Sequence, residues 1–324
     1  MDGSSVKGFT DVEKSDLVLR PIPETFAKIP WQNRTGRFIC AVHLNGERFS
    51  RDPRYTAEKL DKLLTDIGLN LFISAELEYF LFDKVTVVLE AWKQSLEFVS
   101  SEGHWSCTAP FNRLKEGYYT PYPKDKFEDF KIEVAEVLEK NFGIIVESVH
   151  HEVAGSSQHE IVFRGGSATY LGDSLQTVKY VVRTLAHGKG YVASFMPKPI
   201  YGDNGSGLHM HVSLWRGKRN IFYDPNERYR LSQEARYFIG GLLEHARALA
   251  AFTNPTVNSY KRLVPGYEAP VYLVWGIGNR SAAVRIPGYT VTENSMRIEY
   301  RPPDPSTNPL LGYLGNCTSG VRRA

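Results

Sequence analysis

His209 and His211 stand one residue apart, directly after the glycine-rich loop GDNGSG (202–207). In an extended strand, positions 209, 211 and 213 point to one side. Leu208, Met210, Val212 and Leu214 then point to the other, toward a core. His209, His211 and Ser213 thus form a polar stripe, and the glycines let backbone come close to a ligand. An isolated H-x-H pair is equally compatible with two hydrogen-bonded core histidines, so the answer lies with its partners.

The partners are glutamates on strand-like segments, where glutamate is uncommon. Glu76 and Glu78 share a face of LFISAELEYFLF (71–82). Glu152 and Glu160 flank GSSQ, and a hairpin centred on Ser156 would set them opposite each other. Like charges across a hairpin repel unless a cation sits between them. Glu299 lies between Arg297 and Arg301 in RIEYR. Carboxylates with an imidazole suit a hard divalent ion, Mg²⁺ or Mn²⁺, better than zinc in a thiolate cage, and five carboxylates leave room for two ions. Arg262, Arg280, Arg285, Arg297 and Arg301 fall in the last quarter of the chain. Divalent ions with several guanidinia describe a site that holds phosphates and a carboxylate while charge moves between them. There is no GxxxxGK[ST] loop and no kinase glycine-rich strand. These residues point to metal-dependent phosphoryl transfer from a nucleotide.

Elements that could position them follow from periodicity. Helical spacing marks 57–68, 124–142, 172–187 and 232–252; strand-like runs cover 71–82, the GIIVESVHHEVA segment, 270–275, 281–286 and 296–301. The mixture lacks a βαβ rhythm, which predicts an α+β fold with mainly antiparallel pairing. With 324 residues, 42% hydrophobic and 23% charged, the chain has an ordinary globular composition. A net charge of +3 with no basic block argues against nucleic-acid binding. No apolar run matches a membrane span or a signal peptide. Three widely spaced cysteines, Cys40, Cys107 and Cys317, fit a reducing cytoplasm and build no thiolate site from sequence neighbours.

Longer motifs carry a resemblance. AELEYFLF (75–82), HHEVAGSSQHE (150–160), MPKPIYGDNGSGLHMHVSLW (196–215), NPTVNSYKRLVPGYEAPVYLVWGIGNRSAAVRIP (254–287) and RIEYRPPDPSTNP (297–309) resemble type I glutamine synthetase, in the family's order and over nearly the whole chain. The resemblance implies ATP-dependent ligation of ammonia to the γ-carboxylate of glutamate through γ-glutamyl phosphate. It implies Glu78, Glu152 and Glu160 as ligands of the ion nearer glutamate, and Glu76, His209 and Glu299 as ligands of the ion bridging the ATP phosphates. Arg262 resembles the grip on the α-carboxylate and Arg301 a residue near the γ end, with Asn204 and Gly205 at the amino end. Arg280, Arg285 and Arg297 resemble phosphate clamps, Arg280 being the one that steadies the transferred phosphoryl group. His211 and Ser213 would meet the nucleotide, with Glu147 on its ribose side. Glu268 in PGYEAP resembles the residue that closes the ammonium pocket, Tyr118 an ammonium-site tyrosine. Asp2 resembles the base that deprotonates ammonium in a neighbouring subunit, so a homo-oligomer of stacked rings is implied.

By the same resemblance, residues 1–48 make the C-terminal part of a β-grasp domain and 49–324 the catalytic domain. The first part of the β-grasp domain and the C-terminal helical portion are missing from that pattern, and poor assembly with little activity is the expectation for the chain as written. Two alternatives stay open: a glutamate ligase using another amine, and a catalytically silent or decayed synthetase-like protein. Arg262, Glu268 and Asp2 favour ammonia.

Overall fold

The computed structural model describes residues 1–106 and 109–312. Cys107, Cys317 and the GYLGNCTSGVRRA ending beyond Gly312 lie outside the described residues. The chain begins with β1 (Val18–Pro21), β2 (Ala27–Lys28), β3 (Gly36–Arg37), β4 (Cys40–Leu44) and β5 (Glu47–Arg48). β1, β4 and β5 form a small sheet in the order β1-β4-β5. Leu17, Val42 and Phe49 are its buried core, with Phe9 and Leu44 against them.

Helix α1 (Pro53–Asp66) follows, then the long strand β6 (Asn70–Phe82) and a hairpin of β7 (Lys84–Leu89) and β8 (Gln94–Val99). The hairpin is not legible in the 3.6 or 2.0 periodicities above. α1 starts four residues earlier than its spacing suggests, because Asp52 caps it by accepting from the Arg54 amide and Pro53 occupies the first turn. Next come α2 (Glu128–Phe142), β9 (Val146–His151), β10 (Gln158–Gly166) and α3 (Ala168–Gly188). α3 also begins early: Ser167 caps it, and Asp61 of α1 accepts from the amides of Ala168 and Thr169.

The remainder comprises β11 (Val192–Ser194), β12 (Leu208–Arg216), β13 (Arg219–Asn220), α4 (Gln233–Glu244), α5 (Ala246–Thr253), α6 (Val257–Arg262), β14 (Tyr272–Ile277), β15 (Ala282–Ile286) and β16 (Ile298–Tyr300). The single helix expected over 232–252 is two helices, broken at His245, whose ψ of 6° leaves the helical region.

The main sheet has the order β14-β15-β16-β12-β6-β10-β9, with β11 on β6 and β13 on β12. Every pairing in it is antiparallel except β14 with β15. One face of the sheet packs on α1, α2 and α3 in a single apolar core. Strand alternation sorts the residues: Leu71, Ile73, Ala75, Leu77, Tyr79 and Leu81 of β6 enter this core beside Leu208, Met210, Val212 and Leu214 of β12. The even positions of β6 and odd positions of β12 are left to the opposite face.

Candidate active site

Register assembles that opposite face into cross-strand rows. In one row Arg285 of β15 pairs with Glu299 of β16, which pairs with His211 of β12. In the next, His209 of β12 faces Glu76 of β6. In the third, Glu78 of β6 faces Glu160 of β10, which faces His150 of β9. The β9–β10 turn differs from expectation. Its register centres the hairpin on Gly155 rather than Ser156, so Glu160 stands opposite His150, and Glu152 bonds through its amide to Gln158. Ser157, in a left-handed conformation (φ 75°), takes the turn's sharpest step. Alternation still keeps Glu152 and Glu160 on one face.

These rows line a cavity of about 300 Å³. Its wall includes Glu76, Glu78, Glu152, Glu160, His209 and Glu299, together with Arg262, Arg280, Arg285 and Arg301. Tyr118, Asn204, Gly205 and Glu268 complete it from loops. Gly207 explains part of the glycine run. A Cβ there would meet Arg262 Nη2 and His209 Nε2, each at 2.6 Å, while its amide donates to Glu78 Oε2 at 2.8 Å.

Among the described residues, three groups converge closely enough to share an ion: Glu76 with His211 and Glu299, Glu76 with Glu160 and His209, and His150 with Glu152 and Glu160. Five of the six expected ligands fall in these groups and Glu78 in none, and the groupings cut across the two expected triads. His150 enters because it shares the face of Glu152 two residues away, the signal that would have found it in the sequence. Gln158 is also unassigned by the sequence; its Nε2 donates to Glu78 Oε2 at 2.7 Å and fixes that carboxyl.

Electrostatics test whether a cation fits. Burial and the nearby Glu152 push the Glu78 carboxyl up to about 8. Burial, Glu76 and Glu152 raise Glu160 well above the carboxylate range. Burial and Arg301 lower His209 to about 4, so its imidazole is neutral and able to ligate. Burial opposes ionisation of Glu76, yet hydrogen bonds from His209 and His211 hold it well below the ordinary value. Glu299 is likewise kept ionised against burial, chiefly by Arg301, and forms close ion pairs with Arg301 and Arg285. Crowded carboxyls, two of them forced to keep their protons, beside the neutral His209 imidazole are the chemistry of a divalent-ion site.

A family model described as the glutamine synthetase catalytic domain matches residues 50–321, and one described as the glutamine synthetase beta-Grasp domain matches residues 1–45. The chain belongs to the glutamine synthetase family. It is 48% identical to the glutamine synthetase of Sulfolobus acidocaldarius and 44% identical to that of Thermotoga maritima, over 99% of this chain and 70% and 69% of theirs. A cryoEM structure of Plasmodium falciparum glutamine synthetase superposes with a TM-score of 0.93 at 32% identity, covering 99% of this chain and 65% of that one. The glutamine synthetase family uses ATP and a divalent metal to make glutamine from glutamate and ammonia.

The other residues singled out from the synthetase motifs sit as follows. Arg262 is buried, donating to the carbonyls of Pro302 and Pro303 and, at 3.3 Å, to His209 Nε2. Arg280 bears the Tyr118 phenol against it. Arg297 lies at the edge, donating to His211 Nδ1 and the Tyr289 hydroxyl. Ser213 is buried on the His209 face and accepts from Trp215 Nε1 at 2.9 Å. Asn204 Nδ2 donates to Glu268 Oε2 at 2.6 Å. Five expected residues are not part of the cavity wall: His211, Ser213 and Arg297, and also Glu147 and Asp2. Glu147 sits where the β9–β10 register shifts, points outward and lies 3.8 Å from Arg164. Asp2 is exposed, its carboxylate held down to about 2 by hydrogen bonds from Ser5 and Ser4. Among the described residues no helix is long and apolar enough to cross a membrane.

Proposed function

We propose that this chain carries the active site of a glutamate–ammonia ligase, in which the γ-carboxylate of glutamate takes the terminal phosphoryl group of ATP and ammonia then displaces phosphate to give glutamine. The observation that supports it most is the convergence of six glutamates and four guanidinia on one cavity. A carboxylate alone is a poor electrophile, and phosphorylation supplies its leaving group.

Glu78, Glu152 and Glu160 would hold an ion on the glutamate side, with Glu76, His209 and Glu299 holding a second on the phosphate side; Mg²⁺ or Mn²⁺ suits these oxygen and imidazole donors. When bound, such ions supply charge neutralisation for the phosphates and the developing leaving group. Arg262 supports the α-carboxylate, with Asn204 and Gly205 at the amino group and Arg301 toward the γ end. Arg280 is aimed at negative charge that grows during transfer, which is where a guanidinium lowers a barrier. Arg285, Arg297, His211 and Ser213 line the route of the nucleotide, whereas Glu147 points outward toward Arg164 and takes no part in it. Glu268 and Tyr118 close the ammonium end, and Asp2, lent to an adjoining subunit of a homo-oligomer, would take the proton.

The test is direct. Incubated with glutamate, ATP and ammonium, the purified chain is expected to form glutamine slowly and only with Mg²⁺ or Mn²⁺ present, and to accept ammonium over larger amines. Failure to form either glutamine or, with hydroxylamine, γ-glutamyl hydroxamate at any metal concentration would overturn the reading.

A further inference from the structure

The segment that carries Glu268 accepts hydrogen bonds from Asn204 and Arg301, and it is also contacted by groups that none of these assignments uses. Tyr267 lies with the Lys198 ammonium 3.7 Å from its ring centroid and the Lys115 ammonium 5.0 Å away. Both are within the roughly 6 Å over which a cation is attracted to an aromatic ring. Lys115 Nζ also donates to the Gly266 carbonyl at 2.5 Å. Lys198 Nζ donates to the carbonyl of Asp203.

Asp203 ties these lysines to the hairpin that carries Glu152 and Glu160. It is fully buried, and its carboxylate accepts from the amide of Lys115 at 3.0 Å and from the amide and hydroxyl of Ser156 at 3.2 and 3.0 Å. Three segments therefore meet at one carboxylate: the 112–117 loop, the Gly155 turn and the glycine-rich loop. The Glu268 segment is fastened to them through Tyr267. It needs fastening, because Glu268 sits at φ 52°, a conformation that costs a non-glycine residue about 1 kcal/mol or more.

We propose that Lys115 and Lys198, gripping the Tyr267 ring, are positioning residues that hold the Glu268 segment closed and so keep water from the activated glutamate. The proposal rests on the ligase reading. In productive turnover the ammonia nitrogen bonds to the γ-carbon as its bond to the phosphate oxygen breaks. In a loosened site, water oxygen attacks the same carbon; glutamate and inorganic phosphate leave, and the ATP is spent without glutamine. The clamp thus governs how many phosphates are released per glutamine.

The test uses Lys198→Met and Lys115→Met, which remove charge at nearly constant length, beside Tyr267→Leu, Tyr267→Phe and Lys198→Arg. Hydrogen exchange of the amides at 266–269 needs no catalysis and is measured on the chain as it stands. Each charge removal and Tyr267→Leu is expected to speed that exchange about three- to tenfold, with both lysines replaced together giving more. Tyr267→Phe and Lys198→Arg, which keep a ring and a cation, are expected to leave it near the original rate, and the overall melting temperature should stay put. In the glutamine assay the same loosened variants should raise the phosphate-to-glutamine ratio above one while Tyr267→Phe holds it near one. Unchanged exchange in both methionine variants, or equal behaviour of the leucine and phenylalanine variants, overturns the clamp. An unmodified chain that forms no glutamine counts against the ligase reading instead, and exchange alone then decides the clamp.

Discussion

Arg262 donates from Nη2 to Nε2 of His209 across 3.3 Å, and the imidazole consequently turns Nδ1 toward Glu76 and Glu78, 3.1 and 3.7 Å away. The guanidinium assigned to glutamate and an imidazole assigned to the metal are in direct contact. If both assignments hold, glutamate and ion binding are coupled through this contact.

If His209 and Glu299 are ligands, replacing either by alanine should weaken Mn²⁺ binding about 10- to 100-fold, the scale seen when even outer groups of a metal site are lost. Calorimetric titration measures it. Unchanged affinity in both variants removes the assignment.

The two arginines should fail differently. Arg280→Ala is expected to lower kcat about 100-fold or more with KM for glutamate little changed, since its contact strengthens only as charge develops. Arg262→Ala should chiefly raise KM for glutamate, about tenfold or more, through loss of a charged hydrogen bond. It should also lower the melting temperature, because the carbonyls of Pro302 and Pro303 lose their donor. Matching kinetic profiles for the two variants would contradict this division.

Proton binding sets a pH dependence. Glu78 at about 8 and the raised Glu160 keep protons that the unfolded chain gives up near the ordinary carboxyl value. His151 is raised too: burial opposes its charge, but the Glu102 carboxylate outweighs that. Between about pH 6.5 and 7.5 the folded chain thus holds more protons than the unfolded one, so metal-free stability should fall as pH rises. Nearer pH 8, Lys179 and Lys198, each lowered to about 8 by burial, hold fewer protons in the folded chain than in the unfolded one and offset this excess. Below that window the lowered His209 and His159 act in the opposite sense. Metal binding displaces the carboxyl protons and should tighten across the same window. Melting temperatures at both ends of it, with and without Mn²⁺, provide the check, and Glu78→Gln should flatten the metal-free fall. A metal-free melting temperature that climbs with pH there would be the wrong sign.

Gly155 offers a test of the hairpin itself. A Cβ at this position would lie 2.1 Å from the carbonyl oxygen of Arg113. Gly155→Ala should force the 112–117 loop off the turn and destabilise the chain by about 1–3 kcal/mol, measured by denaturant unfolding. Wild-type stability would mean that the two segments separate without cost.

The sequence by itself determined which side chains share a face. Alternation in 71–82 and 208–214 sends one set of residues to the core and leaves Glu76, Glu78, His209 and His211 on the other side, and that inference needs only the two-residue period of a strand. The amphipathic helices were legible for the same reason, while their starts were not, since Asp52 and Asp61 act as caps through side-chain geometry rather than periodicity. Register was decided only by the tertiary structure. Whether Glu160 stands opposite Glu152 or His150 depends on how the Gly155 turn closes against the Arg113 carbonyl, and a one-residue change in a turn moves every cross-strand pair. The order β16-β12-β6-β10 brings residues 76, 160, 209 and 299 to one cavity, and no local pattern specifies which strands become neighbours. The grip of Lys115 and Lys198 on Tyr267 likewise joins three loops whose nearness follows from packing alone.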